Sequence, residues 1–147
     1  MYERLDYMSV NGPAINSMLA NKKHLTAIDE KLKALIEVRV SQINGCAFCV
    51  DLHLAQARAA GESGQRLDCL AVWQESGFFD EAERAALAWA EAITHLSENG
   101  APQDLYDALG QHYSDRQIVD LTLIAAQINS WNRIAVSFGH KPDRRPD

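Results

Sequence analysis

The sequence predicts an all-α protein, a compact helical bundle of about six or seven helices. Apolar residues recur at helical spacing, as in Ile28, Leu32, Leu35, Ile36, Val40 and Ile43, and again in Ala86, Trp89, Ala90 and Ile93. Pairs that satisfy the orphan N–H groups of a helix start punctuate the chain: Thr26 with Asp29, Asp80 with Glu83, and Ser114 with Gln117. No convincing strand is present, because Glu37-Val38-Arg39-Val40 alternates only inside a longer helical stripe.

The elements follow in order. A first helix is expected over 13–23. Thr26 and Asp29 mark the start of a second, over 27–43, which carries the first apolar stripe and breaks at Asn44-Gly45. A third runs over 46–60 and stops at Gly61; a fourth, over 64–76, stops at Gly77. Asp80 and Glu83 open a fifth over 81–98. Pro102 suits the first turn of a sixth, over 102–112. Ser114 and Gln117 open a seventh over 115–137. Between Ile118 and Ala126 this last helix is apolar almost all round, interrupted only by Asp120 and Thr122. Such a helix is either central to the bundle or covered on one face by another subunit.

The 147 residues, 47% of them hydrophobic, suit one domain over 1–140 followed by a disordered Pro- and Arg-rich tail over 141–147. Fourteen basic and 20 acidic residues give a net charge of −6 without a basic cluster, which argues against a nucleic-acid partner. The most apolar run, Leu121 to Ile128, falls far short of the ~20 residues of a membrane span. Residues 1–10 lack the apolar core of a secretory signal, so a cytoplasmic location is expected. In a reducing compartment three cysteines are reactive, metal-binding or buried rather than a disulfide scaffold.

Cys46, Cys49 and His53 stand at i, i+3 and i+7 of a new helix, within roughly 60° of arc. The thiols sit in the first turn, where unsatisfied N–H groups and the helix dipole favour an anion and so raise the thiolate fraction. His53 is placed to accept a thiol proton or to stabilise the thiolate. A redox dithiol needs a low-pKa nucleophile and a nearby resolving thiol, and this segment supplies both. Two other readings stay open: a Cys3His zinc site that recruits Cys69, and two small buried cysteines beside a satisfied histidine. Covalent haem in its usual form is excluded by Val50. Cys69, beside Leu67, Leu70 and Val72, reads as core, and His24, His95, His112 and His140 read as surface residues.

The run Arg39-Val-Ser-Gln-Ile-Asn-Gly-Cys46-Ala-Phe-Cys49-Val-Asp-Leu-His53 resembles the signature of the alkylhydroperoxidase D-like branch of the carboxymuconolactone decarboxylase superfamily. Asn129-Ser-Trp131-Asn132-Arg133 also resembles that branch near its C-terminal end. The resemblance implies a helical fold of the alkylhydroperoxidase D-like type, homo-oligomers (trimers or hexamers) and a thiol-dependent peroxidase without cofactor or metal. Its substrate would be a hydroperoxide, and a protein or lipoyl-type dithiol would be the external reductant. By the same resemblance Cys49 is the peroxidatic residue, Cys46 resolves it, and His53 belongs to the proton relay.

Two positions depart from the best-known members of the branch. Their relay glutamate stands twelve positions before the first cysteine, which is Ala34 here; Glu37 either substitutes for it or is an exposed partner of Lys33 at i, i+4. They can also carry a histidine between the cysteines, where this chain has Phe48. A thiol–disulfide sensor or binding protein is the alternative function, and decarboxylation of a lactone acid, which gives the thiols no role, ranks below it.

Overall fold

The computed structural model describes residues 1–145. Its α-helices are α1 (Tyr7–Val10), α2 (Gly12–Ala20), α3 (Glu30–Ile43), α4 (Ala47–Ala59), α5 (Gly64–Asp68), α6 (Trp73–Ser76), α7 (Glu81–Thr94), α8 (Leu96–Asn99), α9 (Gln103–Gly110) and α10 (Asp115–Phe138). Short 3-10 turns cover Asn21–His24 and Leu70–Val72. The expected all-α class holds, but ten helices among the described residues replace the expected six or seven. The stretch expected over 64–76 divides because Cys69 (φ −92°, ψ 0°) and Val72 (φ −123°, ψ 34°) leave the helical region. The one over 81–98 divides at His95 in the same way (φ −99°, ψ 30°). An unexpected helix, α1, forms because the Asp6 carboxylate accepts from the N–H groups of Met8 and Ser9.

Two of the three expected caps close as full boxes, Asp80 with Glu83 and Ser114 with Gln117. Thr26 does not cap. The Ala27 backbone is instead held by α10, its N–H donating to Asp120 Oδ2 (3.0 Å) and its carbonyl accepting from Gln117 Nε2 (3.3 Å). Helix α3 therefore starts later than expected, with Asp29 as N-cap accepting from Lys31 and Leu32. Pro102 likewise stands at the N-cap of α9, just outside the first turn.

The central helix is α3. Leu32, Ile36 and Val40 face a core shared with Ala86, Trp89 and Ala90 of α7 and with Leu121, Ile124 and Ile128 of α10. Ala34, Leu35 and Val38, on its other side, pack with Ala57, Leu67, Leu70, Trp73 and Leu87. Burial on both sides leaves every residue from Leu32 to Val38 buried, Lys33 and Glu37 included. Helix α10, expected to be apolar all round, buries one side only. Val119, Leu123 and Val136 remain exposed on it.

The two ends of the described chain run alongside one another. Glu3 donates its N–H to the Gly139 carbonyl (3.0 Å), Arg4 to Phe138 (3.3 Å) and Lys141 to Met1 (2.8 Å), and Tyr2 and His140 form an isolated antiparallel bridge. Residues 141–145 hold no helix or strand, and the disorder expected over 146–147 lies outside the described residues. No helix among those described is long and apolar enough to cross a membrane.

Gly139 ends α10 at φ 66°, and a Cβ there would come within 2.9 Å of the Glu3 Cβ. Gly139→Ala combines left-handed strain with that clash. It is expected to cost about 1–3 kcal/mol, read as a lowered denaturant midpoint at unchanged m-value.

Candidate active site

The turn between α3 and α4 builds the site. Cys46 donates its N–H to the Ser41 carbonyl (3.0 Å) and Gly45 donates to that of Gln42 (3.3 Å), the pattern of a Schellman motif. That motif needs a left-handed residue just past the cap, and Gly45 supplies it at φ 67°. Cys46 then becomes the N-cap of α4, its sulfur accepting from the Cys49 N–H at 3.3 Å. One residue thus ends one helix and starts the next. This fixes Cys46 against the first turn of α4, as the sequence predicts.

Cys46 and Cys49 are joined as a disulfide with Cα atoms 5.4 Å apart, and both are buried, at 1% and 3% exposure. His53 follows Cys49 by one helical turn and is also buried. Its Nδ1 lies 3.0 Å from Glu37 Oε2 and 2.9 Å from Gln56 Oε1. Both partners are acceptors, so the neutral ring carries its proton on Nδ1 and leaves Nε2 with a free lone pair.

Glu37 is 8% exposed, not the surface partner of Lys33; Lys33 pairs with Glu30 (2.7 Å) instead. The Glu37 carboxylate lies between His53 and Lys22, whose ammonium is 3.1 Å from Oε1. Burial by itself pushes this carboxyl up. The hydrogen bond and charge of His53, together with Lys22, outweigh burial and hold it below the ordinary value of 4.5. Glu37, His53, Cys46 and Cys49 are therefore gathered at one end of the α3–α4 pair.

Several neighbours escaped the sequence reading. Lys22 reaches in from the 3-10 turn, 15 residues before Glu37. His140, read as a surface residue, stacks on Phe48 with ring centroids 3.6 Å apart and accepts or donates at Nδ1 to the Tyr7 hydroxyl (3.0 Å). Neither contact leaves a periodic signal in the sequence. Cys69, read as core, is half-buried between α5 and the 3-10 turn and belongs to neither core cluster. Among the described residues no group of three His, Cys, Asp or Glu side chains is arranged to hold a metal ion.

A buried network steadies the turn from the side of α10. The Asn44 amide donates to Asn129 Oδ1 and to Asn132 Oδ1, both at 2.9 Å. Asn132 donates on to Ser41 Oγ (2.9 Å), which donates to the Glu37 carbonyl (2.7 Å). The two segments that resemble the family signature are thus joined directly.

Because the folded Glu37 carboxyl is held low, its contribution to stability is complete above pH about 4.5 and is lost as pH falls through the folded value. In Glu37→Gln that part of the acid limb is expected to disappear. In Lys22→Met it is expected to start at higher pH than in the wild type, read as unfolding free energy against pH.

The carboxymuconolactone decarboxylase family model matches residues 13–92, more than half of the chain. The uncharacterized protein YdfG of Bacillus subtilis is 41% identical over 143 residues, spanning 96% of this chain and 97% of YdfG. A solved structure from Agrobacterium tumefaciens, of a protein of unknown function offered as an antioxidant defence protein AhpD, superposes with a TM-score of 0.91 at 39% identity. It covers 96% of this chain and 99% of its own. The debrominase Bmp8 shares the fold at a TM-score of 0.81 and 24% identity, over 92% of this chain and 74% of its own. The chain belongs to the carboxymuconolactone decarboxylase family and, within it, is AhpD-like.

Proposed function

We propose that the protein is a thiol-dependent peroxidase that reduces hydroperoxides through the Cys46–Cys49 dithiol. The observation that carries this reading is the buried Glu37–His53 pair one turn beyond a cysteine pair at a helix start. Family membership supports it. Glu37 accepts from His53 Nδ1 and so leaves the Nε2 lone pair free to take the proton of the reduced Cys49 thiol. The Cys49 thiolate attacks the terminal oxygen of the hydroperoxide, and the O–O bond breaks. The departing alkoxide takes the proton from the His53 imidazolium and leaves as alcohol, and Cys49 becomes a sulfenic acid. The Cys46 thiol attacks that sulfur, a disulfide forms and water leaves. An external dithiol, from a protein or a lipoyl group, then reduces the disulfide and is itself oxidised.

The reading extends to assembly. Val119 and Leu123, one turn apart on α10, form an exposed apolar pair that a second copy would cover, which supports a homo-oligomer.

Peroxide consumption with a dithiol reductant tests the mechanism. Cys49→Ser is expected to lose turnover entirely, and undiminished turnover would sink the assignment of Cys49. Cys46→Ser is expected to consume a single equivalent of peroxide and to hold a sulfenic acid that a selective trapping reagent labels. Glu37→Gln is expected to lower kcat/KM by ~10²-fold, because the amide no longer fixes the His53 tautomer. A reversible dithiol with negligible turnover and redox-dependent association would favour a sensor instead.

A further inference from the structure

A cavity of about 380 Å³ opens beside α4, and its lining is divided by chemistry. One end is polar, with Lys22, Glu37, His53 and Gln56. The other is a wall of rings in mutual contact: Tyr2, Tyr7, Phe48 and His140. From α4 it is lined by Phe48, Leu52, His53 and Gln56, while the joined cysteines lie behind this lining, Cys49 being next to Phe48 in the chain and one turn before His53.

The ring wall is held in place. His140 lies between Phe48 (centroids 3.6 Å apart, planes 20° apart) and Tyr2 (4.1 Å, 31°). Tyr7 meets Tyr2 edge-on at 5.4 Å and holds His140 through its hydroxyl at 3.0 Å. Tyr2 and His140 are fixed in turn by the paired chain ends. Pre-set aromatic faces favour a flat ring in stacked or edge-on contact, with little ordering left to do on binding. The volume lies at the small end of the ~300–1,000 Å³ typical of ligand pockets, which suits a small ring-bearing molecule and leaves most of a long acyl chain outside. Met8 and Met18, at the same cavity, adapt to differences in ring shape.

We propose that this cavity is a binding site for small aryl compounds bearing an oxygen function, the ring against the stack of Phe48, His140 and Tyr2 and the oxygen toward Lys22 and His53. Hydroperoxides carried on an aromatic ring are then the substrate class, in preference to hydrogen peroxide and to long-chain lipid hydroperoxides. This assignment of substrate rests on the peroxidase reading; the binding of the ring does not.

The test separates the two. Cumyl alcohol, which thiols do not consume, is titrated against the full chain and followed by ligand-observed NMR, with tert-butanol as the ringless control. Cumyl alcohol is expected to bind at least ~10-fold more tightly, from the apolar area of the ring. His140→Ala is expected to weaken it ~5-fold or more, because Phe48 and Tyr2 lose the ring packed between them and the wall is no longer pre-set. Leu52→Trp alters a residue that is 39% exposed and so spares the core. It is expected to fill the cavity and abolish binding at an unchanged melting temperature. Equal affinity for the two alcohols, or unchanged affinity in Leu52→Trp, overturns the proposal. For turnover, kcat/KM for cumene hydroperoxide is expected to exceed that for hydrogen peroxide and for a fatty-acid hydroperoxide, and the ratio to fall in His140→Ala. Ring-dependent binding with no turnover of any peroxide upholds the site and removes the peroxidase reading. Equal turnover of all three peroxides without binding of the alcohol removes the site and leaves that reading standing.

Discussion

The bifurcated donation of the Asn44 amide to Asn129 and Asn132 is the constraint on which the site depends. Ser41, Asn129 and Asn132 are buried and Asn44 partly so, a partnered network of the kind in which polar groups in a core specify one arrangement rather than several. It fixes the end of α3 against the middle of α10, and so the place where α4 begins. Gly45 reverses the chain in one residue, Cys46 caps α4, and His53 falls where that helix carries it. A slip of α10 along α3 would part the asparagines and disturb the direction in which Cys46 and Cys49 enter their helix. The family signature therefore reads as two halves of one hydrogen-bonded joint.

Electrostatics around Glu37 follow from this frame. A carboxylate taken out of water is costly unless it is paired, and here it is paired on both sides. His53 approaches from α4 and Lys22 from the 3-10 turn, so the charge is balanced by a group that α3 and α4 do not contain. Lys22 is only half-buried, at 41% side-chain exposure, and its contribution is screened accordingly. The pairing with His53, buried on both partners, is the one that sets the geometry. It also decides which imidazole nitrogen is free.

What the sequence disclosed and what it withheld divide along a physical line. The cysteine pair, His53 and the break at Asn44-Gly45 are local, and helical spacing alone brings them together. The caps at Asp80 and Ser114 are local too and form as read, whereas Thr26 fails because its neighbour Ala27 is engaged by α10, 93 residues away. The burial of Glu37 was left open by the sequence, since i, i+4 spacing offers Lys33 while the true partners come from other elements. Tyr7 and His140, separated by 133 residues, meet by tertiary packing that no periodicity records. The extra helices arise at single residues, Cys69, Val72 and His95, whose backbone leaves the helical region without any Gly or Pro to announce it.

The pairing of Glu3 with Gly139 and of Tyr2 with His140 has a consequence for the order of events during synthesis. The dithiol turn and Glu37–His53 are encoded within residues 37–53 and leave the ribosome early. The aromatic wall needs a residue made almost ninety positions later. A nascent chain therefore carries its cysteine pair and relay for most of its translation before the cavity beside them can close, and the residues just past α10 decide when it does.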